Sequence, residues 1–191
     1  AETMDHPIPD SFFVVPPPNV LTLSAHHRCH GSDHEDYLRF FAAVTAIDSP
    51  TANELLRTDV KRALTHQRPL MQDLVMAIEE AEAGAPGLGP DDQRPVRIAS
   101  DRLYPTLERI IRALYLIETQ QLLPEAERIV FLPYATLPAH FRPEAPQVRN
   151  EFKVRPCGPE YAGVFGVFCS MAVEGDIERS VWWLRFYRST T

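Results

Sequence analysis

Lysine is almost absent from this chain. Of 19 basic residues only Lys61 and Lys153 are lysines, so arginine carries nearly all the positive charge. Against 26 acidic residues this leaves a formal net charge of −7. The overall field of an acidic protein does little to draw in a polyanion, so a nucleic-acid contact would need a local basic groove. Cysteine is scarce as well. Cys29, Cys157 and Cys169 are too few for a disulfide framework, which points to a reducing, cytoplasmic setting. No apolar run reaches the length of a membrane span, and no charged-then-apolar signal segment opens the chain, so no membrane partner is expected. The sequence has no internal repeats, no nucleophile motif, no glycine-rich phosphate loop and no dinucleotide fingerprint.

What is present suits a folded domain, or one domain with a small appendage. The chain has 191 residues and is 45% hydrophobic, enough for a real core. Residues 1–34 hold five of the seven histidines. Pro16-Pro17-Pro18 sets an extended link before the apolar run Val20-Leu21-Thr22-Leu23. Residues 35–47 read as a helix, ended by Asp48-Ser49-Pro50. Ser49 or Thr51 caps a second helix near 52–66, with Leu55, Leu56, Val60 and Leu64 as its stripe. A third helical segment spans 70–83, and the glycine- and proline-rich stretch 84–90 breaks it. A short strand near 96–98 follows. The strongest helix carries Leu107, Ile110, Ile111, Leu114 and Ile117 on one face, with Pro105 in its first turn. Residues 128–132 read as a strand and 133–150 as loop. The end of the chain switches to sheet at 152–155, 164–173 and 180–188, the last two as a hairpin across Glu174-Gly175-Asp176.

The order predicts an α+β fold: a small ββα-type motif over residues 1–47, then a helical middle and a C-terminal antiparallel sheet over 48–191, packed as one unit. The aromatics Phe165, Phe168, Trp182, Trp183, Phe186 and Tyr187 read as sheet core. A base-stacking platform would interleave them with basic residues, and only Arg185 and Arg188 intrude. Both alternating faces of 164–173 are apolar, which suits a protein partner or self-association through this sheet. Cys157 and Cys169 are expected to pack in or near it.

The residues with the clearest chemistry lie near the start. Asp5-His6 is followed by Asn19 and then by Cys29-His30. Asp5-His6 alone, before Pro7, would read as a surface turn. In this order the residues could divide the labour of cutting a phosphodiester. Asp5 and His30 could share a divalent metal, His6 could activate water, and Asn19 has donors and an acceptor with which to tie the loop.

The stretches Asp5-His6-Pro7-Ile8-Pro9-Asp10-Ser11-Phe12-Phe13, Asn19-Val20-Leu21-Thr22-Leu23 and His26-His27-Arg28-Cys29-His30 resemble the ββα-metal core of bacterial HNH endonuclease-like proteins. The acidic, aromatic segment Glu35-Asp36-Tyr37-Leu38-Arg39-Phe40-Phe41 and the stretch Leu107-Glu108-Arg109-Ile110-Ile111-Arg112-Ala113-Leu114-Tyr115 extend the similarity. The resemblance implies metal-dependent hydrolysis of DNA, with His6 and Asn19 catalytic and Asp5 and His30 holding Mg²⁺ or a similar ion. Arg28, Arg39, Lys61 and Arg62 are candidate phosphate contacts, although each also reads as a solvated helix charge. Proteins of this kind usually carry two Cys-x-x-Cys knuckles around a structural zinc. The first would precede Asp5, where only Ala1 to Met4 stand, and the second is reduced to His26-x-x-Cys29. Two ligands do not close a tetrahedral site, so structural Zn²⁺ is not expected in this chain. The missing knuckle and the acidic charge support an alternative: a catalytically inactive HNH-derived binding, assembly or regulatory protein. A further alternative is a metal-binding module built from His26, Cys29, His30 and His34.

Overall fold

A computed structural model describes residues 2–26, 32–46, 49–57, 65, 72, 75–76, 79, 100–131, 153–174 and 177–187. Of the expected helical segment 70–83, residues 72, 75–76 and 79 are described, all helical; the expected strand 96–98 and the loop 133–150 lie outside the described residues. The fold is α+β. Strand β1 (Glu2–Asp5) pairs antiparallel with β2 (Leu23–His26), in the register Glu2↔His26 to Asp5↔Leu23. Helix α1 (Ser32–Thr45) follows, completing the ββα order expected at this end of the chain. Helix α2 (Pro50–Leu55) starts where its cap was expected, with Ser49 Oγ accepting the Ala52 amide hydrogen at 3.4 Å.

Helix α3 (Ser100–Thr119) begins earlier than expected. Pro105 therefore lies inside it rather than in its first turn. A proline there lacks the N–H that would bond to the residue four earlier. Burial holds the helix together instead: Leu103, Ile110, Ile111 and Leu114 are all in the core. The expected strand at 128–132 does not form over its described residues, 128–131. No other described strand pairs with it, and Val130 is 65% exposed.

The C-terminal sheet has the order β3-β4-β5. Strand β3 (Arg155–Pro156) is shorter than the expected 152–155, because Lys153 turns the chain at a φ of 49°. Strands β4 (Phe165–Glu174) and β5 (Ile177–Phe186) form the expected hairpin, from Glu174↔Ile177 to Phe165↔Phe186. Phe165, Val167 and Cys169 alternate along one buried face of β4, as strand periodicity requires. Cys157 and Cys169 are both buried and free. Burial pushes both thiols above their ordinary range.

One core spans the chain. Ile8, Phe12 and Phe13 from the N-terminal segment pack with Leu38 and Ala42 of α1, Ile110 and Leu114 of α3, Phe165 and Val167 of β4, and Tyr187 just beyond β5. The Phe12 ring lies 5.4 Å from Phe186 and stacks on Tyr187 at 5.8 Å. Each fully buried side chain of this size contributes about 1.5–3 kcal/mol. The N-terminal motif is therefore fixed to the sheet by its own apolar residues. No helix among the described residues is long and apolar enough to cross a membrane.

Candidate functional site

The Asp5–Phe13 segment owes its shape to two prolines and three core anchors. Pro7 and Pro9 favour extended backbone at His6 and Ile8 and cannot extend the β1 ladder. Ile8 and Phe12 are fully buried and Phe13 nearly so. Between them Asp10–Phe12 forms a single 3-10 turn, closed by Phe12 N donating to the Pro9 carbonyl at 3.0 Å. With Ile8 and Phe12 directed into the core, His6 and Asp10 remain on the other side, facing a cleft. Met4, Asp5, His6, Pro9, Asp10, Ser11 and Glu35 line this cleft, which holds about 240 Å³.

His6 is held at Nδ1, and a carboxylate stands near its other ring nitrogen. Nδ1 lies 3.3 Å from the Leu21 carbonyl, and Nε2 lies 3.6 Å from the Asp10 carboxylate. A carbonyl only accepts, so the contact with Leu21 assigns the proton of the neutral ring to Nδ1. Nε2 is then the basic nitrogen, and it points into the cleft. Leu21 is itself fixed from the far end of the chain, because its amide donates to the Tyr161 hydroxyl at 2.8 Å.

Asp5 ends β1 and is 8% exposed. Its carboxylate lies 3.7 Å from Arg109 Nη1, while Arg109 Nη2 bonds Glu35 at 2.5 Å. Helices α1 and α3 thus deliver one carboxylate and one guanidinium to the side of the cleft where Asp5 sits. Nothing in the sequence singles out Arg109 for this place. It follows the same amphipathic pattern as any charged neighbour of a buried stripe. Glu35, equally, reads only as part of an acidic helix start.

The other expected site residues fare differently. Asn19 is exposed on the turn 17–20, where Val20 N donates to the Pro17 carbonyl at 3.3 Å. Its side chain makes no hydrogen bond among the described residues, and the described hold on His6 comes from the Leu21 main chain. Arg39 is 5% exposed and is committed inward, donating to the Ser11 carbonyl at 3.2 Å and to Asp36 at 3.0 Å. It braces the 3-10 turn rather than a solvent-facing track. His26 lies in β2 opposite Glu2. Arg28, Cys29, His30, Lys61 and Arg62 lie outside the described residues. Among the described residues no group of three or more His, Cys, Asp or Glu side chains converges as a metal-ligand set.

No family model, no curated protein and no solved structure matches the chain.

Proposed function

We propose that this protein is an HNH-like, metal-dependent endonuclease that hydrolyses DNA phosphodiesters. The observation that carries the reading is His6. Its ring is oriented by a main-chain carbonyl, its free nitrogen faces a cleft, and a carboxylate stands beside that nitrogen. Such a group is built to take a proton. In the proposed reaction His6 Nε2 removes a proton from water, whose oxygen attacks phosphorus as the bond to the leaving sugar oxygen breaks. Asp10 steadies the imidazolium that results.

The donor chemistry of the cleft suits Mg²⁺ or a similar ion. Such an ion is commonly held by one or two protein carboxylates, waters and phosphate oxygens, without a closed protein cage. Asp5 puts a carboxylate on the cleft, and Glu35 takes the closer contact with Arg109. Asp5 and His30 would hold the ion. When bound, it supplies charge neutralisation at the scissile phosphate and the leaving oxygen.

One observation favours a second reading, a protein that keeps this scaffold and works by binding. Asp5, Asp10 and Glu35 line the cleft together, and the arginine beside them already serves two of the three. Incubation of supercoiled and linear DNA with the protein in Mg²⁺, Mn²⁺ or chelator decides between the two. Metal-dependent nicking that chelator stops is the outcome expected of the enzyme. Retention of DNA or of a protein without cleavage under every metal supports the binding protein.

A further inference from the structure

Resting on the metal-site reading above, we infer that Arg109 regulates that site as a built-in counter-ion: its guanidinium competes with the divalent ion for Asp5. The juxtaposition is specific. Asp5 is at the end of β1, Glu35 is in the first turn of α1, and Arg109 is midway along α3. Their side chains are 11%, 21% and 18% exposed, so the three charges share a poorly solvated space. Arg109 spans both acids with the two limbs of its fork, Nη2 to Glu35 at 2.5 Å and Nη1 toward Asp5 at 3.7 Å.

Two carboxylates in such a place need a cation, because unpaired charge is costly where water is scarce. Arg109 meets that need in the absence of metal and keeps the pocket stable. An ion arriving at Asp5 meets a positive charge a few ångströms away, and that repulsion lowers its affinity. The coupling runs both ways: metal at Asp5 drives Arg109 off Asp5, and whatever draws Arg109 off Asp5 favours metal. A phosphate entering the cleft would be such an agent, since guanidinium forks pair with phosphate oxygens. Metal occupancy would then rise with substrate rather than precede it.

Mn²⁺ binding to the full chain, followed by calorimetry and by the shift of its melting temperature, tests the inference without reference to cleavage. Arg109→Gln is expected to bind Mn²⁺ about tenfold or more tightly than the wild type, from the loss of a unit charge a few ångströms away. Its melting temperature should also gain more from Mn²⁺. Arg109→Lys keeps the charge on one carboxylate and loses the fork, so it should fall between the two. If Arg109→Gln folds only when Mn²⁺ is supplied, that rescue supports the inference. Equal or weaker Mn²⁺ binding by both variants overturns it, including the case in which only DNA retention falls. Asp5→Asn serves as the control. Binding that Asp5→Asn abolishes, with wild type and Arg109→Gln equal, removes the inference and leaves the metal site standing. No Mn²⁺ binding by wild type or either Arg109 variant removes both.

Discussion

The hydroxyl of Tyr161 accepts the amide hydrogen of Leu21 at 2.8 Å, across 140 residues of sequence. The carbonyl of the same Leu21 meets His6 Nδ1 at 3.3 Å. One peptide segment thus connects the C-terminal part of the fold to the imidazole in the cleft. Phe13 closes the arrangement, its ring edge-on to Tyr161 at 5.1 Å. The orientation of His6 is a property of the whole fold and not of the N-terminal motif alone.

Tyr161→Phe keeps the ring packing and removes only the hydroxyl. The Leu21 amide loses its partner, which should lower stability by about 1 kcal/mol in urea denaturation. The carbonyl that holds His6 is loosened with it. In a DNA-cleavage assay the turnover number should fall while the Michaelis constant changes little, because Tyr161 does not line the cleft. A variant with unchanged turnover would mean that His6 does not depend on this link.

Gly158 sits where α3 meets β3. Its φ of +64° is a left-handed conformation, and an added Cβ would come within 2.7 Å of Leu114 Cδ2. Its amide also donates to Glu118 Oε1 at 2.7 Å. Gly158→Ala should cost about 1–3 kcal/mol, from strain and overpacking together. The check is a lower denaturation midpoint at an unchanged slope.

Alkaline pH should weaken the fold through its buried acids. Burial raises Cys157 and Cys169 above an ordinary value of 9.0, and Tyr187 above 10.0. In the unfolded chain these groups lose protons at their ordinary values, while in the folded chain they keep them. Their contribution is therefore complete below about pH 9 and is lost as pH rises beyond it, by up to about 1.4 kcal/mol per pH unit for each group. Unfolding free energies measured from pH 7 to 10.5 should show this decline. Cys157→Ala should flatten the first part of it.

Much of the architecture was legible in the sequence because periodicity follows burial. The stripe Leu107, Ile110, Ile111, Leu114, Ile117 revealed α3, and the apolar alternation near Phe165 revealed β4. Pro105 suits the first turn of a helix, yet it lies inside α3. Tertiary burial of Leu103 carries the helix a turn further back. Residues 128–132 had strand-like apolar content, but a strand also needs a neighbour to pair with, and pairing is not written locally. In the site, Asp5 and His6 could be picked out because acid and histidine side chains carry their chemistry with them. The partners that give them geometry could not: Leu21 acts through a main-chain carbonyl, and Arg109 reaches Glu35 from 74 residues away. Arg39 looked like a free surface charge and is instead buried against Ser11 and Asp36.

The most direct test is the rate at which His6→Ala cleaves DNA in Mg²⁺ or Mn²⁺, relative to the wild type, with circular dichroism and melting temperature recorded on both. His6 is assigned proton transfer, and its side chain is only partly buried. The variant should keep its fold and lose about 10²–10⁴-fold in rate. A well-folded His6→Ala that cleaves as fast as the wild type would contradict the assignment of His6 as the base. A wild type that cleaves nothing in either metal would contradict the endonuclease itself.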